Sequence, residues 1–173
     1  MVRRNGLILA ALALMLVPAA SAFGQFKQGD WELTLGGTGS NGPDFNGVQA
    51  GVNGSLGYFL ADQLEISLRQ SVTYSDLGPG SSWDGSTRAA LDFHFDLGAV
   101  QPFIGANIGY VYGDSVRDTW EAAPEAGVKV FLNSTTFVQF LAEYQFFFQT
   151  SDSLNQAFSD GQFVYTLGLG VRL

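Results

Sequence analysis

Leu64, Ile66, Leu68, Val72 and Tyr74 alternate with Glu65, Ser67, Arg69, Ser71 and Thr73. A period of two over about ten residues describes an extended strand with one apolar and one polar face, and it leaves no stripe at helical spacing. The parity recurs in Ala89, Leu91, Phe93, Phe95 and Leu97 against Arg88, Ala90, Asp92, His94 and Asp96. It appears again in Phe163, Tyr165, Leu167, Leu169, Val171 and Leu173. Eight such segments can be drawn, at 29–39, 46–59, 63–75, 87–97, 102–112, 122–132, 135–148 and 161–173. Each is of the ~10-residue order that a tilted strand needs to cross a bilayer. The fold class expected is all-β, an eight-stranded antiparallel closed transmembrane β-barrel.

Alternation does not say which face is inside, because a soluble barrel would show the same parity with its apolar face inward. Residue size decides. The polar face is rich in Gly51, Asn53, Ser55, Gly57, Gly105, Asn107, Gly109, Gly127, Thr166, Gly168 and Gly170, which suit the narrow bore of eight strands. A water-facing exterior would be rich in Lys and Glu, yet charged residues are only 14% of this chain. The apolar face carries Trp31, Tyr58, Tyr74, Phe95, Tyr110, Tyr112, Tyr144, Phe148 and Tyr165 near strand ends, as two interfacial girdles require. The apolar face is therefore assigned to lipid. In lipid an unpaired strand edge costs several kcal/mol per polar group, so the first and last strands must seal against each other.

Arg3 and Arg4, the apolar stretch Gly6–Val17, Pro18 and Ala20-Ser21-Ala22 have the order of a secretory signal. The domains expected are a signal at 1–22 and a barrel at 23–173, with cleavage after Ala22 or Gly24. That removal leaves six Lys and Arg against 16 Asp and Glu, a formal charge of −10. Such a balance argues against a nucleic-acid partner. With no cysteine there is neither a disulfide framework nor a thiolate metal site. Short connections at 60–62, 98–101 and 133–134 alternate with longer ones at 40–45, 76–86, 113–121 and 149–160, which carry Asp44, Asp76, Asp84, Asp114, Asp118, Glu121 and Asp152. In a bacterial barrel the short turns are periplasmic and the long loops external. These acidic loops are expected to bind divalent cations weakly and to bridge to lipopolysaccharide phosphates.

The ending Thr166, Gly168, Val171 and Leu173 resembles the polar-x-Gly-x-x-apolar-x-apolar signal read by the outer-membrane barrel assembly machinery, with Leu173 where an aromatic is most usual. The segments QPFIGANIGYVYGD, APEAGVKVFL and FVQFLAEYQFFF are similar to the OmpA-like, porin-family small outer-membrane barrels. The resemblance implies a Gram-negative outer membrane. It also implies lipid and lipopolysaccharide as surroundings, and the assembly machinery and periplasmic chaperones as partners; the oligomeric state is left open, with a monomer favoured.

Motifs for other chemistries are weak. Gly37-x-Gly39-x-x-Gly42 has dinucleotide-fingerprint spacing but no following helix, and reads as loop glycines. Asn53-Gly54-Ser55 and Asn133-Ser134-Thr135 match glycosylation acceptors, but the first lies within a strand and a bacterial address removes the machinery. His94, the only histidine, has Asp92 and Asp96 on its own face and reads as a lumenal hydrogen-bonding group. The polar face is expected to plug the bore with Glu32, Glu65, Arg69, Arg88, Asp92, His94, Glu125, Lys129, Glu143 and Arg172. Within this network Arg69 is paired with Asp92 and His94, Arg172 with Glu32, and Lys129 with Glu143, itself opposite Glu125. No cofactor and no enzymatic activity are expected, and the role is structural or surface-interacting. One alternative is a conduit for small apolar molecules, since Phe131, Phe137, Leu141 and Phe147 share the lumenal parity. The other is an outer-membrane lipid hydrolase, which needs a serine activated by a histidine; the deacylases join that histidine to a serine two residues on, where this chain has Asp96.

Overall fold

A computed structural model describes residues 25–41, 49–75, 82–114, 118–148 and 161–173. The proposed signal, its cleavage site, Asp44, Asp76 and Asp152 lie outside them. Eight strands follow one another: β1 (Trp31–Asn41), β2 (Gln49–Ala61), β3 (Leu64–Ser75), β4 (Ser82–His94), β5 (Val100–Gly113), β6 (Thr119–Phe131), β7 (Thr136–Phe148) and β8 (Gln162–Arg172). Each pairs antiparallel with the next, and β1 pairs with β8 from Glu32↔Arg172 to Asn41↔Phe163, closing the barrel. The backbone groups of the terminal strands thus find partners in each other, the condition that a lipid surrounding imposes.

Eight of the nine aromatics assigned to the girdles belong to strands, and β4 shows where the sequence boundaries failed. It starts at Ser82, five residues before the expected 87, and ends at His94 instead of 97. Trp83 and Asp84, read as loop, belong to it, and Trp83 packs on Tyr74 at a ring separation of 4.9 Å. Asp96 lies past the strand and is exposed, so it does not share the lumen with Asp92 and His94. Glu121, also read as loop, is in β6 and fully buried. The partners across the sheet caused these errors: Tyr74↔Trp83 and Tyr110↔Trp120 extend two hairpins beyond the point where alternation weakens.

The faces divide as the alternation requires. Leu35, Val52, Leu68, Ile108 and Leu167 are each more than half exposed on the outside, while the opposite parity is buried. All three tryptophans, Trp31, Trp83 and Trp120, are on the outer surface. Among the described residues this surface carries a polar interruption. Thr87 donates to the Gln70 side-chain carbonyl at 2.6 Å and the Gln70 amide donates to the Tyr112 hydroxyl at 2.8 Å, so groups facing lipid satisfy one another. Inside, glycines make room for charge. A Cβ at Gly57 would collide with the Glu65 carboxylate, and one at Gly105 with Asp92.

Candidate functional site in the barrel lumen

The short-turn mouth is closed by a segment that carries no periodic signal. Residues 25–30 lay Phe26 into the bore, 2% exposed, stacked on Phe59 at 4.1 Å and edge-on to Phe131 at 5.2 Å and Phe137 at 5.8 Å. The Gly29 amide donates to the Phe59 carbonyl at 2.9 Å, and the Phe59 amide to the Asp30 carbonyl at 3.0 Å. Gly29 has φ +94°, a left-handed conformation natural to glycine. The Gln28 amide donates to Asp62 in the β2–β3 turn at 2.8 Å, and Lys27 pairs with the same carboxylate at 3.3 Å. These contacts, the Gln28 amide first, hold the Asp62 carboxyl below its ordinary range. Arg172 donates to the Gln25 carbonyl and lies 3.6 Å from Asp30.

Above the aromatic stopper the lumen is a ladder of ion pairs. Lys129 binds Glu32, and Glu65 at 2.8 Å, with its Nζ between 5.1 and 5.7 Å from the rings of Phe26, Phe59, Phe103 and Phe137. His94 Nε2 is 2.9 Å from Glu65. Next, Arg69 holds Asp92 at 2.6 Å and Glu125 at 2.8 Å. Asn107 donates to both Glu125 and Glu143, the latter at 3.2 Å, and so separates two carboxylates that face each other across β6 and β7. Arg88 then binds Glu143 through Nη1 and leaves its Nε 3.8 Å from Glu121. The Gln145 amide donates to Glu143 at 2.7 Å and the Gln162 amide to Gln145 at 2.8 Å.

Register explains why these ties cross the bore. Neighbouring strands put like charges side by side, in Glu65↔Asp92, Arg69↔Arg88 and Glu125↔Glu143. Directly opposed like charges repel. Relief comes from the far wall: Lys129 of β6 reaches β1 and β3, Arg69 of β3 reaches β6, and Arg88 of β4 reaches β7. Three expected pairings are corrected by this geometry. Lys129 does not meet Glu143, which belongs to Arg88. His94 turns to Glu65 and not to Arg69. Arg172 is directly across from Glu32 in register, but its side chain turns down to Gln25 and Asp30 at the rim.

Toward the long-loop end the lumen widens into an open cup. Its lining includes Thr38, Ser71, Asp84, Ser86, Arg88, Val111, Glu121, Gln145, Phe147 and Val164. Asp114 and Asp118, two of the carboxylates assigned to outer loops, are exposed at that end, and Asp114 accepts from the Trp83 amide at 3.3 Å. In β8, Thr166 and Gly168 face inward, with Thr166 accepting from Asn53 at 3.5 Å, while Leu173 is 71% exposed.

No protein-family model and no curated protein matches the chain. Solved structures match its fold. It is similar to the outer membrane protein OprG from Pseudomonas aeruginosa at 15% identity, covering 87% of this chain and 99% of that one with a TM-score of 0.63. It is similar to the N-terminal β-barrel domain of P. aeruginosa OprF at 17% identity, covering 84% and 98% with a TM-score of 0.60. Neisserial surface protein A gives 14% identity, coverage of 83% and 95%, and a TM-score of 0.60. The chain thus has the fold of the small eight-stranded outer-membrane β-barrels.

Proposed function

We propose that this protein is a non-enzymatic outer-membrane barrel whose bore passes no solute and whose role is structural or surface-interacting. One observation carries the reading: the lumen between Phe26 and Glu121 is occupied by side chains tied from wall to wall. An eight-stranded barrel has an interior only wide enough to be filled in this way. Work is then left to the lipid-facing surface and the long-loop end, a division compatible with the surface protein among its structural neighbours.

The alternative readings meet obstacles in the same residues. Phe131 and Phe137, which suggested an apolar conduit, pack against Phe26 in the stopper. His94, which a lipid hydrolase would need at a lipid-accessible place, is 2% exposed inside the barrel, among Phe26, Phe59 and Phe103. The surroundings proposed are outer-membrane lipid and lipopolysaccharide, reached by way of the barrel assembly machinery and chaperones. The protein refolded into liposomes should give no swelling with small neutral sugars, and it should co-fractionate with outer membranes in cells. Swelling at rates typical of an open pore would overturn the reading.

A further inference from the structure

Among the described residues, six buried lumenal carboxylates, Glu32, Glu65, Asp92, Glu121, Glu125 and Glu143, outnumber three buried cations, Arg69, Arg88 and Lys129. Two cations bind two carboxylates each at hydrogen-bond distance, Lys129 with Glu32 and Glu65 and Arg69 with Asp92 and Glu125. Arg88 does not complete the set. Its Nη1 holds Glu143, and its Nε stands 3.8 Å from Glu121 without hydrogen bonding to it. Neither Glu121 oxygen nor Arg88 Nε has a hydrogen-bond partner at close geometry, and Ser86 supplies the one hydroxyl that acts on Glu121, although Glu121 is 0% and Arg88 2% exposed. Both residues line the cup, together with the carboxylate of Asp84.

A buried carboxylate with one weak hydroxyl partner and no close cation is costly unless a further donor reaches it. The surplus of negative charge repels anions and favours a cation there. The nature of the walls selects among cations. Calcium takes six to eight oxygen ligands and magnesium a near-octahedral shell, whereas Val111, Phe147 and Val164 supply apolar surface beside Glu121. An ammonium group needs only a carboxylate and a few hydrogen-bond acceptors, and a short alkyl tail suits the apolar walls. We infer that the cup is a binding site for a small organic cation, an ammonium on a short apolar tail, with Glu121 as its charged anchor. The amide oxygens of Gln145 and Gln162 and the hydroxyl of Thr38 line the same cup and can take further ammonium protons.

The test uses the refolded protein in micelles, with ethylammonium as the probe, ethanol as its neutral analogue and sodium chloride at equal ionic strength. Titration calorimetry should show saturable binding of ethylammonium and none of ethanol or sodium. Glu121→Gln, which keeps the shape and removes the charge, should weaken that binding at least roughly tenfold, as expected for a lost charged hydrogen bond. Val111→Phe, which fills the cup and leaves every charge in place, should also abolish it. This second variant carries the test if Glu121→Gln does not fold. Absence of saturable binding, equal binding of ethanol, or unchanged affinity in the folded variants would overturn the inference.

Discussion

The two ends of the lumen solve the same problem differently. At the short-turn end the chain inserts its own Phe26 against Phe59, Phe131 and Phe137, and Lys129 above them serves two carboxylates inside a ring of aromatics. At the long-loop end, small and hydroxylated residues leave a cup, and Arg88 and Glu121 pair only at 3.8 Å, without a hydrogen bond between them. The difference teaches that charge inside a narrow barrel is tolerable in two ways. Where water is excluded, each charge must be paired and hydrogen-bonded. Where the bore widens, Arg88 and Glu121 stay incompletely paired, with side-chain amides and hydroxyls of the cup standing around them.

Breaking the dry end should cost most. Lys129→Ala strands Glu32 and Glu65 together, and denaturant unfolding of the refolded protein should show a loss of ~3–5 kcal/mol, the usual cost of removing one partner of a buried pair. A loss below about 1 kcal/mol would mean that water already reaches this layer. Phe26→Ala should cost about 3 kcal/mol, the lower end of the range for emptying a buried phenylalanine, because its segment can shift at the mouth. Arg88→Ala should cost less, about 1–3 kcal/mol in the same unfolding experiment, because Glu143 keeps Asn107 and Gln145 as donors. If it equals Lys129→Ala, the two ends do not differ as described.

The smallest effect belongs to the latch on the stopper. The Asp62 carboxyl titrates below its ordinary value in the folded protein, so its contribution is fully present above about pH 4 and is lost as pH falls through the lower folded value. Amide exchange at Gln28 should therefore quicken in acid, beyond the intrinsic pH dependence of exchange. Asp62→Asn should quicken it at neutral pH and flatten the acid response. An identical acid response in Asp62→Asn would remove Asp62 as the cause.

The sequence made the architecture legible because a membrane barrel writes its two faces at a period of two, as in Leu64 to Tyr74, and because closure follows from the cost of an open edge. Boundaries were less legible. Trp83, Asp84 and Glu121 sit where alternation is interrupted, and only the paired strand extends the hairpin through them. Within the lumen, parity placed Arg69, Asp92, Glu125 and Lys129 on one face, but parity cannot say which wall a long side chain will reach. Pairing by adjacency joined Arg69 to Asp92 and missed Arg69 with Glu125, Arg88 with Glu143 and Lys129 with Glu65, all of which span the bore. Phe26 was not legible at all. A single aromatic in Gln25–Asp30 has no periodicity, and its place is set by a turn at Gly29 and contacts with residues distant in sequence.

Whether side chains seal the bore is tested most directly by single-channel recording from the refolded protein in a planar bilayer, with Lys129→Ala combined with Phe26→Ala as the partly opened comparison. The natural sequence should show no steady ion current, and the folded double variant, which lacks the stopper and the cation above it but keeps the Arg69 and Arg88 ties across the bore, should show at most brief openings. Steady current through the natural sequence, from a homogeneous preparation, would contradict a closed lumen.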